Sequence, residues 1–469
     1  MKFIPTYWLN KKLVRMSASS KKFTQQPWAQ GVVLILFVVI AMILANLPFT
    51  RETYHNILET GLSINVTSPG GGTFTFPKEM TVEKFINDIL MVVFFFTVGL
   101  EIKREVVSGE LSTTKKAIMP IIAAFGGVVA PAMIYMAINH GTAAGSGWGI
   151  PTATDIAFAI GILAILGDKV PVSLKVFLTA LAIADDLIAI LVIAIFYGSS
   201  VNLLLLGLAL VLVLGIIVMK KMGEKRPWFY FIPAIAVWTL FYYSGIHATM
   251  SGVVMAFLIP AKPRYSKNYL FQKCKIYTRR LIKHDDIDEE DFPNDIQRKV
   301  LRDISNTTTD SVAMSYRLEH ALGPWVNFLI MPIFALANAG VTIPGPEYFN
   351  IFHFTPEMGS VGMGIVLGLV LGKPIGITLA SWIAVKTKIG TMPARSTWPM
   401  LLAVACLGGI GFTMSIFVDT LSFADAPEYT HELRNMGKVA VLMGSVVAAV
   451  LGSVLVNLVH KKKTAQRLN

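Results

Sequence analysis

Long apolar runs recur along almost the whole chain, separated mostly by short polar connections. A membrane-spanning helix needs roughly 20 mostly apolar residues, and by that measure the pattern predicts about twelve of them. The first covers Gly31 to Leu47 and the last Val439 to Leu458; those between begin near Phe85, Ala117, Gly149, Val172, Asn202, Trp228, Ile246, Leu322, Gly362 and Leu401. An even number of crossings puts both ends of the chain on one side. Two connections are long. Residues 48–84 contain LSINV (Leu62 to Val66) and TFTF (Thr73 to Phe76) around SPGGG, alternating runs about a Gly-rich turn that predict a small β-hairpin. Residues 261–317 hold a basic half (Lys273, Lys275, Arg279, Arg280) and an acidic half, HDDIDEED, from His284 to Asp291. Charge blocks of this kind are solvated or disordered, so no chemistry is assigned to them.

Composition agrees with the pattern. The 469 residues are 54% hydrophobic and only 15% charged, against about 45 to 50% and about 25% in soluble domains. This excludes an ordinary soluble protein, and the chain reads as an all-α polytopic membrane protein. Residues 1–27 form a polar N-terminal tail, basic up to Lys22, and the first apolar run lacks a small-residue cleavage site, which predicts a retained anchor. Residues 28–460 read as one transmembrane domain and 461–469 as a C-terminal tail. The net charge of +12 suggests nucleic acid at first sight. The basic residues, however, sit in short loops on alternate connections: Lys21 and Lys22; Lys103, Arg104, Lys115 and Lys116; Lys169; Lys220, Lys221, Lys225 and Arg226; Lys386, Lys388 and Arg395; Lys461 to Lys463. The opposite connections, around Ala143, Ser199, Gly245 and Gly345, carry almost none. The positive-inside rule then puts both termini in the cytoplasm, with the bilayer rather than nucleic acid as the partner. Cys274 and Cys406 offer no disulfide framework.

Two apolar segments are interrupted. GIPTATDIAFAIG (Gly149 to Gly161) has Pro151, Thr152, Thr154 and Asp155 in its middle, and CLGGIGFTMSIF (Cys406 to Phe417) has Gly408, Gly409, Gly411, Thr413 and Ser415. Proline removes a donor and glycine weakens a helix, so both segments invite unwound backbone. Lipid cannot satisfy the freed groups, and such segments must line a cavity or pack within protein. Gly-rich packing faces fit the second segment almost as well. They leave Asp155 in the first one stranded.

Four ionisable residues lie deep in apolar runs: Asp155, the adjacent pair Asp185 and Asp186 in LTALAIADDLIAI, and Lys373 in LVLGKPIGITLA. Charges at that depth cost at least a few kcal/mol and mark function. Neighbouring helical residues point about 100° apart, so one aspartate is expected to meet the broken helix and the other Lys373. Two carboxylates this close titrate in coupled steps. Together with the Thr154 hydroxyl and freed carbonyls they form an all-oxygen site for a small hard cation, and protons compete for the same oxygens. Opposed broken helices bring four half-dipole ends together; Asp155 is placed to neutralise the positive ends and Lys373 the negative ones.

These residues sit in text that resembles the bacterial NhaA sodium/proton antiporters: TATDIAFAIGILAILG, LTALAIADDLIAI, LGKPIGI, SGIHATMSG, RLEHALGPWVNFLIMPIFALANAG and GIGFTMSIF. The similarity runs from the first helix to the last. It implies twelve helices with inverted repeats, the two broken ones crossing at midplane, and electrogenic exchange of external protons for internal sodium or lithium, activated at alkaline pH, in the inner membrane. Paired interrupted helices mark the ion site of such transporters, a regularity drawn in part from this same family. The resemblance puts the ion site on Asp185, Asp186 and Thr154, with Asp155 and Lys373 in charge compensation. It puts a pH-sensing cluster on Glu101, Arg104, Glu105, Glu319 and His320, links His247 to pH response, and matches Asp88 to an acidic position. Leu62 to Phe76 matches a dimerising hairpin. No cofactor is implied beyond the transported ions. Gly323, where a second cytoplasmic histidine is expected, and the length of the 261–317 loop depart from the pattern. On the residues alone, the charges near position 101 also read as ordinary helix-end charges, and His247 as a helix-contact residue.

Two other functions fit an acidic membrane site. An intramembrane aspartyl protease needs carboxylates from different helices around one water, whereas this pair is adjacent on one helix with a lysine nearby. A cation channel needs weak sites in a continuous pore.

Overall fold

The structure, a computed structural model, describes residues 26–67, 73–76, 80–198, 201–224, 226–283, 294–343, 345, 348, 350, 352–423 and 429–468. The expected N-terminal tail up to residue 25, the SPGGG turn, the HDDIDEED block and the basic residue Lys225 lie outside them. In chain order come α1 (Pro27–Asn46), α2 (Arg51–Glu59), β1 (Ile64–Thr67), β2 (Thr73–Phe76), α3 (Val82–Ser108) and α4 (Thr114–Asn139). A 3-10 segment, Ala143–Thr152, precedes α5 (Ile156–Leu166), which is followed by α6 (Val172–Phe196), α7 (Leu203–Lys221), α8 (Trp228–Ser244) and α9 (Thr249–Leu258). The chain continues through α10 (Lys267–Lys283), α11 (Asp295–Asp310), α12 (Met314–Asn338) and α13 (Val361–Lys386) to α14 (Trp398–Leu407), α15 (Phe412–Ser422) and α16 (Thr430–Leu468). β1 and β2 pair antiparallel, with Ile64 opposite Phe76.

Among the described residues, eight helices are long and apolar enough to cross a membrane, and two bent pairs bring the number to ten. All twelve expected segments are helical, but those at Trp228 and Ile246 are short: α8 has 17 residues and α9 only 10. At 1.5 Å per residue α9 reaches about 15 Å, half of a hydrocarbon core of about 30 Å. The turn between them explains the shortening. Gly245 closes α8 in the left-handed region at φ +88°, and His247 Nδ1 accepts from the Thr249 amide at 3.4 Å, starting α9 late.

The chain divides into two compact units. The first comprises residues 1–91, 110–199 and 324–469. Its helices α4 and α13 meet backbone to backbone: a Cβ on Gly376 would stand 2.1 Å from the Gly126 carbonyl oxygen. Only glycine at both positions permits that approach.

The second unit comprises residues 92–109 and 200–323. Its α9 packs on α3 through small residues, a Cβ on Gly252 falling 2.4 Å from Val92 O and one on Gly99 2.7 Å from Ala256 Cβ. Lys103 donates to the carbonyls of Ala256, Phe257 and Ile259, closing the C-terminal end of α9. Within the 261–317 loop, α10 and α11 form a helical pair. α10 turns Leu270, Cys274, Tyr277 and Leu281 inward at helical spacing, α11 does the same with Val300, Ile304 and Thr307, and the Tyr277 and Thr307 hydroxyls lie 3.3 Å apart. A capping box between Asn294 and Gln297 starts α11. The charge blocks hid an apolar stripe of period 3.6. The expected C-terminal tail likewise continues α16 as helix to Leu468.

Candidate functional site: two broken helices around a buried ion pair

Pro151 and the three residues after the 3-10 segment break the first interrupted helix, which bends by 41°. Gly408 to Gly411 break the second, which bends by 54°. The two breaks satisfy each other. The Asp155 amide donates to Ile410 O at 2.7 Å and the Thr154 hydroxyl to Gly408 O at 2.7 Å. Ser415 Oγ returns a bond to Ile150 O at 2.7 Å. Backbone groups freed from both helices thus find partners inside protein, as a hydrocarbon surround requires. Gly409 is needed at the contact, since a Cβ there would stand 2.2 Å from Leu369 O. Phe412, at φ +25°, holds a strained backbone at the start of α15, a conformation that costs of order 1–3 kcal/mol and clusters at functional sites.

One carboxylate serves both helix starts. Asp155 Oδ1 accepts from the Phe158 amide of α5 at 3.2 Å, while Oδ2 accepts from the Thr413 amide of α15 at 3.2 Å and from the Thr413 hydroxyl. A single negative charge therefore faces two positive half-dipole ends.

Lys373 meets one aspartate of the adjacent pair. Its Nζ donates to Asp185 and, at 2.7 Å, to the Thr154 hydroxyl. Lys373 and Asp185 are both fully buried, at 0% exposure. The lysine follows a π-helical turn, Gly368–Gly372, in α13; such turns recur at functional sites because one widened turn re-aims the side chains around it. Asp185 Oδ1 has no hydrogen-bond partner among the described residues, which leaves an acceptor turned into the site. Asp186, the next residue, is also buried and acts electrostatically on Lys373. Thr154 links the parts, since its oxygen accepts from Lys373 while its proton goes to Gly408 O. Asp155, Thr154, Asp185, Asp186 and Lys373 thus come together within the first unit. Among the described residues no group of three or more His, Cys, Asp or Glu side chains is arranged to hold a metal; a cation here would rely on two carboxylates, a hydroxyl and backbone oxygens. Thr413, noted in the sequence only as part of a weak helix, proves to be the second anchor of Asp155, a role that needs the crossing to be visible.

The residues grouped by resemblance as a pH-sensing cluster belong to the second unit. Arg104 bonds Glu319 through Nε and Glu105 through a terminal nitrogen, both at 2.9 Å, and the charges of Glu101 and Glu319 act on each other. A cavity lined by Arg104, Val107, Ala261, Ser315 and Tyr316 opens beside them. His320 stands apart: its Nδ1 lies 3.0 Å from Tyr316 O of its own helix, its ring lies against the Tyr316 ring, and it is exposed. His247 bonds the Thr249 hydroxyl at 2.7 Å in the α8–α9 turn. Asp88 lies in a π-helical turn of α3, Ile86–Leu90, in the first unit.

Residues 21–456 match the family described as Na+/H+ antiporter 1. The Na(+)/H(+) antiporter NhaA of Acidithiobacillus ferrooxidans is 41% identical over 454 residues, covering 96% of this chain and 99% of that protein. Those of Escherichia coli O1:K1 and Shigella dysenteriae serotype 1 are each 38% identical over 432 residues, covering 92% of this chain and 96% of theirs. A match of this extent, over a chain whose broken helices carry the motifs of the site, means that the protein belongs to the Na+/H+ antiporter 1 family.

Proposed function

We propose that this protein exchanges cytoplasmic sodium or lithium for external protons, that Asp185, Asp186 and Thr154 form the ion site, and that the site is reached alternately from the two sides of a bacterial inner membrane. The observation that carries this reading is the fully buried Lys373–Asp185 pair, with Thr154 bridging to the second broken helix. In this arrangement an ammonium proton occupies the carboxylate that a cation would need. A sodium ion entering the site displaces Lys373 from Asp185 and takes that oxygen, the turned-in Asp185 Oδ1 and the Thr154 oxygen as ligands, the donor set that suits a hard cation. Lys373, left without its partner in a dry site, gives up its proton, and the second acid, Asp186, ionises beside the cation. More than one proton leaves for each singly charged ion, so the cycle is electrogenic. If only the loaded forms change sides, competition at one site becomes exchange. Asp155 holds the two helix starts together throughout and is a positioning residue.

The alternation of basic loops supports cytoplasmic termini. The Arg104, Glu105 and Glu319 group, whose Arg104 lines the neighbouring cavity, supports a regulatory role in response to pH. The edges of β1 and β2 offer backbone groups for pairing with a second copy, which supports a homodimer.

Sodium-dependent collapse of a pH gradient in everted vesicles tests the site. Asp185→Asn and Asp186→Asn are each expected to abolish exchange while inserting normally; full activity in either variant removes that residue from the site.

A further inference from the structure

Asp419 lies on α15, six residues beyond Thr413, which places it about 9 Å further along the helix axis, on the external side in the orientation proposed above. It is 0% exposed, and neither carboxyl oxygen has a hydrogen-bond partner among the described residues. The neighbouring helix is fitted around it, for a Cβ on Gly437 would stand 2.0 Å from Asp419 Oδ1. α16 also supplies two cations one turn apart, Arg434 and Lys438, whose charges act on the carboxyl, and Glu83 acts on Lys438 in turn. Arg434 Nε is itself buried without a hydrogen-bond partner among the described residues. The acid's charge is felt at Tyr135 and Tyr197. Both hydroxyls are committed elsewhere, Tyr135 to Ala144 O at 2.9 Å and Tyr197 to Ser146 O at 2.8 Å. Among the described residues, the other elements packed most closely on α15, the 143–152 segment and residues 331–338, carry no titratable side chain, and Asp155 touches α15 at its far end through Thr413.

A carboxylate stripped of water and of hydrogen bonds is costly, whereas the neutral acid is tolerated. A carboxyl and a guanidinium nitrogen of opposite sign, on adjoining helices, thus both lack hydrogen-bond partners among the described residues. We propose that Asp419 is a second proton-carrying carboxyl of this transporter, neutral in the arrangement seen here and ionised when Arg434 and Lys438 close on it. The step is a simple ionisation. The acid O–H breaks, the proton passes to water on the external side, and the carboxylate left behind is held by the two cations. Ionisable residues at such depth serve function by default, and this one is separate from the Asp185 site. Its coupling to transport rests on the exchange reading, whereas its proton binding does not.

Infrared difference spectra of the reconstituted protein between acid and alkaline baths test it. The wild type is expected to show the carbonyl stretch of a neutral carboxylic acid that disappears on alkalinisation. One component of that band is expected to be lost in Asp419→Asn and kept in Asp185→Asn, which loses exchange on other grounds, so the two readings fail separately. In vesicles, the proton concentration giving half-maximal exchange is expected to shift by about tenfold in Asp419→Asn, one pH unit, and to return toward wild type in Asp419→Glu. In Arg434→Gln the band is expected to persist into a more alkaline bath, a readout that survives even where Asp419→Asn does not insert. A band unchanged in Asp419→Asn, a pH profile in that variant superimposable on wild type, or a band titrating identically in Arg434→Gln overturns the proposal.

Discussion

Lys373 illustrates how much a single buried charge can decide. Its ammonium is bonded to Asp185 and to Thr154, and neither charge reaches water. Removing one partner of such a pair leaves the other buried and uncompensated, at a cost of about 3–5 kcal/mol. Lys373→Ala is therefore expected to lose both exchange and thermal stability, whereas a melting temperature equal to wild type in that variant contradicts the ion pair. The sequence pointed to these residues because charge in an apolar run is rare; it could not tell Asp185 from Asp186. Adjacent helical positions differ by about 100° in direction, and which of them meets the lysine depends on how α6 and α13 are packed. The double duty of Asp155 was only half readable for the same reason: proximity to a proline break is visible in the text, but the amide of Thr413, 258 positions away, is not. Asp419 was readable in principle, as an acid within IFVDTLSF, although only its missing partners set it apart.

At the scale of elements, the close approach of α4 and α13 positions Lys373, because Gly376 lies on the turn after it and meets Gly126 O where no Cβ fits. Overpacking a tight contact costs typically about 1–3 kcal/mol, and here the obstructing atom is backbone. Gly376→Val is expected to reduce exchange severely and lower the melting temperature, with Leu379→Val on the exposed face of the same helix as the silent control. The short α2 offers a second test. Tyr54 donates its hydroxyl to Leu336 O at 2.6 Å, at the end of α12. Burial holds that hydroxyl well above its ordinary pKa. The folded state thus binds the proton more tightly than the unfolded chain, so the contribution is whole below the ordinary value of about 10 and is lost as pH rises beyond it. Tyr54→Phe is expected to melt lower at neutral pH by the worth of about one hydrogen bond, ~1 kcal/mol, with the difference narrowing above about pH 10. A constant difference across that range contradicts the assignment. Long apolar elements were the easiest to read, since hydropathy over roughly 20 residues is unambiguous. α9 proved shorter than expected because a glycine turn shortened it, and the α10–α11 pair went unread because surface charge masked its apolar stripe.

For the molecule as a whole, the proposed exchange turns on one feature: the Lys373 ammonium holds the Asp185 oxygen that the proposal gives to sodium. Membrane class, the long apolar helices and the acidic pair all follow from where apolar runs stop and where charge interrupts them. The division into two interleaved units does not, because it depends on which distant helices touch. The competition itself is measured by titrating the reconstituted protein with sodium by calorimetry at successively lower pH. Apparent affinity is expected to weaken on acidification by about tenfold per pH unit for each proton displaced, and the heat is expected to vanish in Asp185→Asn. Sodium binding of undiminished affinity in an acid bath would show that ion and proton do not share these oxygens.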